Sequence, residues 1–397
     1  MRIGLGTDSY ELSLPADMLE SVLRDADRMA ADTTALLEPL YRQRDSLRAR
    51  LQEEEQIIVV PSQDDHLTLG AVDGGSVVDQ LYAADRLVVC ALVAEGMHTI
   101  RTGEIHHSVW TQVLAHQTDL DRLASAVMMC LELSLLRGIG YQVRIFDGSH
   151  QTPVIALNSA LSSANPRVRA MTAQIVDETG AVEALRLLCH DTEGARIVGL
   201  PKADSSTEFR DKYRREYAFD LPPVTDRVLA TEVLERGEML KPRKPENWYR
   251  LHIFSRSRRR MEQDAEQEPD PKVTEHVHQV AKKLDAAIEP LRHCREAGHG
   301  IGITYLKPHS SDTCVKVEYK ASAGIGHGTW LASVLSAEVP GPHMQEPYGQ
   351  FVADLWAKNV STAAEALAAA TLHKMSDQRW QPYLALGYRT RAAGGHQ

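Results

Sequence analysis

"LGAVDGGS", residues 69–76, decides the fold of this chain. An apolar run reaches Asp73 and two glycines follow it at once. A carboxylate there is either a turn residue or an oxygen ligand for a metal ion. "VRIFDGSH" (143–150) repeats the arrangement with Asp147. Between the two copies lies "TDLDRLASAVMMCLELSLLRG" (118–138). It reads as a strong helix, with Thr118 or Asp119 near its cap and Gly138 just past its end.

Glu132 is the only carboxylate between Arg122 and Phe146, and its neighbours are Met128, Met129, Leu131, Leu133, Leu135 and Leu136. One reading puts it on a narrow solvent stripe. The other turns it inward, where a carboxylate is costly unless paired or metal-bound.

The elements around these acids have an informative order. "HLTLGAVD" (66–73) is a first strand and "RLVVCALVAEG" (86–96) a second. "MHTIRTGEIHHSVW" (97–110) is a third, which Thr102-Gly103 can break into a hairpin. The helix comes next, then "YQVRIFDG" (141–148) as a fourth strand. This is a β-β-β-α-β order, so the fold class is α/β, a mixed sheet flanked by helices. If the first and last strands lie side by side, their carboxyl ends converge, as ligand sites in open α/β sheets do. Asp73, Glu132 and Asp147 together would suit magnesium or manganese. Two such ions about 3.5–4 Å apart activate a water and stabilise a leaving oxygen in phosphodiester cleavage.

No rival constellation is as good. His106 and His107 are adjacent on a strand and point to opposite faces. Cys189-His190 ends a helix and reads as packing plus a capping cation. "SAGIGHGTW" (322–330) is glycine-rich but lacks the Gly-Lys-Ser/Thr ending of a phosphate loop.

Later segments fill in the domain. "NPRVRAMTAQIVDETGAVEALRLLCHD" (165–191) reads as helix, and "ARIVGLPKADSS" (195–206) as strand then loop. "PPVTDRVLATEVLERGEML" (222–240) is a short helix ending at Gly237, and the stretch 271–300 a long one. "IGITYLKP" and "TCVKVEYK" are a closing strand pair, and 348–375 forms one or two helices.

Composition narrows the class. A chain of 397 residues with 43% hydrophobic and 25% charged residues can bury a large core. No apolar run approaches the roughly 20 residues of a membrane span. The start "MRIGLGTDSYELSLP" lacks a charged region followed by an apolar one, so no secretory signal is expected. Five cysteines, 20 or more residues apart, suit reduced thiols in a cytoplasm. The net charge of −10 argues mildly against a nonspecific nucleic-acid coat.

Charge is unevenly spread. "KPRKPENWYRLHIFSRSRRR" (241–260) carries eight Lys/Arg against one Glu, and "MEQDAEQEPDP" follows with five acids. This is either a solvated charged insertion near 241–271 or a basic strip tracking a phosphate backbone, with Arg256, Arg258, Arg259 and Arg260 as contacts and aromatics as stacking faces. Residues 16–56 carry Leu, Val and Met at helical spacing, with Pro39 as the expected break into two helices. That gives an N-terminal helical arm, 1–61, before a domain of 62–397. The arm packs on the domain, or docks a partner or a second copy.

"AVDGGS", "MMCLELSLL" and "VRIFDGSH" together resemble the NurA family of prokaryotic DNA-end-processing nucleases. The likeness extends over most of residues 67–361. "ARIVGLPKADSS" looks like the family's strand ending in a lysine, here Lys202, and "ITYLKPHSSDTCVKVEYK" like its late strand pair ending in Glu318. The resemblance implies an RNase H-like core and a metal-dependent deoxyribonuclease using two Mn²⁺ or Mg²⁺ ions. It implies a homodimer and a HerA-type hexameric ATPase partner, serving DNA end processing or anti-phage defence. Lys202 would steady a phosphate oxygen. Near the C-terminus the family has a Tyr-Pro-Tyr-Pro-like stretch and then Ala-His. Here "EPYGQFVADLW" puts Glu346 at the first tyrosine and Asp354 at the histidine, with Tyr348 as a candidate substrate contact. Asp354 can complete a metal site but supplies no imidazole. The alternative is a catalytically weakened NurA-like subunit that docks on and regulates a DNA translocase.

Overall fold

The computed structural model describes residues 16–62, 67–99, 105–190, 196–245, 248–253, 271–293, 300–320, 324–342, 344–375, 379, 382 and 383. Its strands are β1 (Ile57–Val59), β2 (Leu69–Gln80), β3 (Asp85–Glu95), β4 (His107–Leu114), β5 (Val143–Phe146), β6 (Arg196–Gly199), β7 (Glu238–Leu240), β8 (Ile301–Lys307) and β9 (Val315–Lys320). Among the described residues they form one mixed sheet of nine strands, in the order β1-β7-β8-β9-β6-β5-β2-β3-β4.

The expected β-β-β-α-β unit is present. β2, β3 and β4 form an antiparallel meander, α3 (Leu120–Gly138) crosses over, and β5 returns parallel to β2. The parallel pairing, Leu69↔Val143 to Val72↔Phe146, sets the carboxyl end of β5 beside the middle of β2. β6 then lies parallel to β5, with Phe146 opposite Gly199.

α3 is apolar nearly all round because it is covered on two sides. It packs on β2 and β3, and on α4 (Thr152–Leu161), α5 (Pro166–Thr179) and α6 (Ala181–His190). Leu123, Val127, Cys130 and Leu133 are fully buried there. The opposite face of β2 and β3 is covered by α12 (Tyr348–Lys358) and α13 (Val360–Lys374). At roughly 25 cal/mol per Å² of apolar surface, this two-sided burial is the main stabilising term.

Several expectations are corrected. The first strand does not end at Asp73; pairing with β3 continues from Asp73↔Leu92 to Gln80↔Asp85, so the aspartate sits mid-strand. The third strand is β4 alone, because 97–99 form a turn and 100–104 lie outside the described residues. Helix 165–191 is two helices, divided at Gly180 in the left-handed region at φ 64°. "GIGHG" begins a helix, α11 (Gly324–Ala337), where the missing side chain of Gly328 admits the Tyr319 ring. β1, β7, α4 and α7 (Glu208–Tyr217) carry no clear pattern of their own and are set by tertiary contacts.

The arm consists of α1 (Ala16–Arg24) and α2 (Ala26–Glu53). Its break falls at Asp25, and Pro39 lies inside the continuous α2. Pro39 cannot donate to Ala35, but Ala35 is exposed and water can satisfy its carbonyl. Leu40, Leu47 and Leu51 are fully buried, and Arg48 bonds both carboxylate oxygens of Glu238 at 2.7 Å. Met18, Leu19, Val22, Leu23, Met29 and Leu36 are exposed. The second half of the arm is therefore part of the core, while the first half presents an apolar stripe to solvent. Among the described residues no helix is long and apolar enough to cross a membrane.

Candidate metal centre

The register of β2 and β5 sets the centre. Val72 pairs with Phe146, and the Asp147 amide donates to the Val72 carbonyl at 3.3 Å, so Asp73 and Asp147 are neighbours across two parallel strands. α12 lies over the same strands and contributes Asp354. Single carboxylate oxygens of Asp73, Asp147 and Asp354 lie within 4.8 Å of one another. An all-oxygen set of this size fits a hard divalent cation.

Glu132 approaches on the other face of β2 and is not one of the three carboxylates whose oxygens converge. Alternation along β2 puts Asp73 and Gly75 toward α12 and Gly74 toward α3. A Cβ on Gly74 would stand 2.5 Å from Glu132 Oε1 and 2.6 Å from Met128 Cγ. On Gly75 it would collide with the Ala357 carbonyl. The glycines thus make room for protein groups on both faces of β2. Glu132 is 1% exposed, which rules out the solvent-stripe reading. Burial, with Asp73 and Asp147 adding repulsion, pushes its carboxyl well above the usual range.

Lys202 follows β6 by three residues and places its ammonium among the acids. Nζ lies 2.6 Å from Asp147, 2.7 Å from Asp354, 3.5 Å from Glu346 and 3.6 Å from Asp73. One cation does not balance this many carboxylates. Burial and the Asp147 charge push Asp73 up to about 8, despite Lys202. Burial likewise raises Glu346, partly offset by Lys202. Burial also opposes the charge on Asp354, but hydrogen bonds from Lys202 and Lys358 prevail and hold its carboxyl below the ordinary value. Asp354 is therefore better kept ionised than Asp73, Glu132 or Glu346.

The centre also uses a residue that sequence reading missed. Gln350 is 1% exposed, and its Nε2 donates to Asp147 Oδ1 at 2.8 Å and to the Leu200 carbonyl at 2.9 Å. It fixes the Asp147 rotamer against the end of β6. Its position four residues before Asp354, hence on the same helix face, was the available signal. The Asp147–His150 turn is tied down from below. Glu318 accepts from the Ser149 hydroxyl and the His150 amide, each at 2.9 Å, and lies 3.6 Å from Lys316. Tyr348 starts α12, where its amide donates to the Glu338 carbonyl. Arg256, Arg258, Arg259 and Arg260 lie outside the described residues.

No protein-family model and no curated protein matches the sequence. Solved structures do match. The crystal structure of the NurA nuclease from Sulfolobus solfataricus aligns over 91% of this chain and 98% of its own, at 13% identity and a TM-score of 0.51. The fold is that of NurA. A NurA crystal structure determined with manganese aligns over 90% of this chain and 99% of its own, at 12% identity and a TM-score of 0.50. At this level of identity the NurA likeness is one of fold, and the chemistry has to be argued from the side chains themselves.

Proposed function

We propose that this chain is a metal-dependent deoxyribonuclease acting at DNA ends. The observation that carries the reading is the convergence of Asp73, Asp147 and Asp354 on a NurA fold. These carboxylates, with Glu132 behind them, would hold Mn²⁺ or Mg²⁺, two ions in the fullest form of the site. Held there, such ions would supply activation of a water near neutral pH and charge stabilisation of the leaving oxygen. That the fold also occurs in a NurA structure with manganese supports the metal class.

The chain's own residues do the rest. Gln350 orients Asp147, and the Glu318 network holds the turn that carries it. Lys202 is placed to neutralise the acids and to steady a phosphate oxygen. Asp354 serves as an oxygen ligand and offers no imidazole proton near neutral pH. A HerA-type hexameric ATPase would deliver DNA, which suits a chain of net charge −10. The exposed stripe on α1 and early α2 is the surface this reading assigns to assembly, with a homodimer or the ATPase.

A second reading, the regulatory subunit with weakened catalysis, is favoured by one observation. Lys202 is drawn in among the acids, where it competes with a metal ion for Asp147 and Asp354. Linear DNA incubated with the protein and Mn²⁺ or Mg²⁺ against EDTA, with and without the ATPase, decides between them. The nuclease reading expects metal-dependent cutting that Asp73→Ala and Asp147→Ala abolish. Equal persistence of DNA with wild type and both variants, partner present, sinks it.

A further inference from the structure

Beside the acids a cleft of about 140 Å³ opens, lined by Lys202, Glu346 and Gln350 on the metal side and by Arg227 and Lys316 on the other. The charges on its walls are not equally free. Lys202 is surrounded by acids, and Lys316 lies 3.0 Å from Asp204 and 3.6 Å from Glu318. Arg227 differs. Its guanidinium donates to three backbone carbonyls, Cys314 at 2.7 Å, Lys202 at 2.8 Å and Gln345 at 3.4 Å. Among the described residues no carboxylate is paired with it.

Carbonyl partners fix the position of a guanidinium without cancelling its charge, and the fork has further N–H donors to give. The carbonyls belong to the loop carrying Lys202, to the residue before β9 and to the segment entering α12, so Arg227 is held in place in the cleft that Lys202 and Glu346 also line. Of the remaining walls, Leu200, Pro201 and Val315 are apolar and suit a sugar face, and Gln345 is polar. An acidic centre repels a polyanion, so a neighbouring uncompensated cation fixed in a cleft has a clear use.

We propose that this cleft is a subsite for the phosphodiester next to the one cut, with Arg227 as its phosphate-binding group and the sugar against Leu200, Pro201 and Val315. The inference rests on the nuclease reading and adds a specificity-determining residue to it.

The test is binding of a labelled single-stranded oligodeoxynucleotide in Ca²⁺, across a salt series, by wild type, Arg227→Met and Arg227→Lys, with thermal melts to show that each variant is folded. Arg227→Met should weaken binding about tenfold and reduce the slope of log affinity against log salt by about 0.7, the value for one single-strand phosphate contact. Arg227→Lys should keep the slope. A slope unchanged in Arg227→Met overturns the subsite, whether affinity is retained or falls, because a purely structural arginine carries no counterion term. If wild type itself shows no salt-dependent binding, the nucleic-acid reading fails and the subsite with it. Metal-dependent cutting with an unchanged Arg227→Met slope rejects the subsite alone.

Discussion

Gly74 and Glu132 are in contact across the face of β2: a side chain on the glycine would occupy the space of the glutamate's Oε1. Gly74→Ala must therefore displace a buried carboxylate or Met128. The expected cost is about 1–3 kcal/mol in chemical denaturation, with Mn²⁺ affinity lowered as well. Gly75→Ala strikes the Ala357 backbone, which cannot rotate away, and should cost more. A Gly74→Ala protein of wild-type stability and metal affinity would show that Glu132 is not seated as described.

Asp73 gives the metal-free protein a signed pH dependence. Its carboxyl titrates near 8 when folded and near its ordinary value of about 4 when unfolded. A raised carboxylate opposes folding: below about 4 the group contributes nothing, and between about 4 and 8 the unfolded state increasingly gains by ionising. Metal-free stability should fall through that window and level off above it. Asp73→Asn should lessen the trend, leaving the part of the same sign due to Glu132 and Glu346, and raise stability at pH 8 by on the order of 1–3 kcal/mol. Urea midpoints in EDTA from pH 5 to 9 measure this; parallel curves for the two proteins would refute it.

The same protons couple to metal. A carboxyl protonated near neutral pH must release its proton to become a ligand, so Mn²⁺ affinity should rise with pH until about 8 and then flatten. Calorimetry in two buffers of different ionisation enthalpy counts the protons released. Zero release at pH 7 would mean that the raised carboxyls, Asp73 and Glu132, take no part.

Glu318 works in the opposite sense. Burial alone would raise its carboxyl, but His150 and then Lys316 outweigh it and hold it below its ordinary value. Its stabilisation is fully present above the unfolded value near 4.5 and is lost as pH falls through the lower folded value. Glu318→Ala takes the acceptor away from Ser149 and buried His150, while Lys316 keeps Asp204 at 3.0 Å, and should cost about 1–3 kcal/mol. Glu318→Gln, which keeps the Ser149 bond, should cost less. A neutral Glu318→Ala would remove the network from the account.

The arm divides at its middle. Leu47→Ala should cost about 2–5 kcal/mol because the site is fully buried. Leu23→Ala should change the monomer's stability by less than about 0.5 kcal/mol because Leu23 is 61% exposed. Equal effects in denaturation would contradict this division.

The acids and the core order were legible because each has a local signal. Asp73 and Asp147 end apolar runs, and Glu132 is the only carboxylate between Arg122 and Phe146, so chemistry and pattern conflict visibly there. What stayed hidden depends on distant partners. β2 runs past Asp73 because β3 pairs with it to Gln80. Pro39 spares α2 because the carbonyl it leaves unpaired is exposed. Three-residue β1 and β7 form because they pair with each other at the sheet edge, and no three-residue run announces a strand. The family resemblance made Lys202 a phosphate contact, yet only the fold puts its ammonium among four carboxylates.

The central claim is that Asp73, Asp147 and Asp354 form a divalent-metal centre, and it is tested most directly by titrating Mn²⁺ against the isolated protein and following free Mn²⁺ by electron paramagnetic resonance. Wild type should bind saturably, and Asp147→Asn should weaken binding at least about tenfold, in the range seen when metal-site residues are altered. Saturable binding that survives Asp147→Asn unchanged, or no binding by wild type at pH 8, would contradict it.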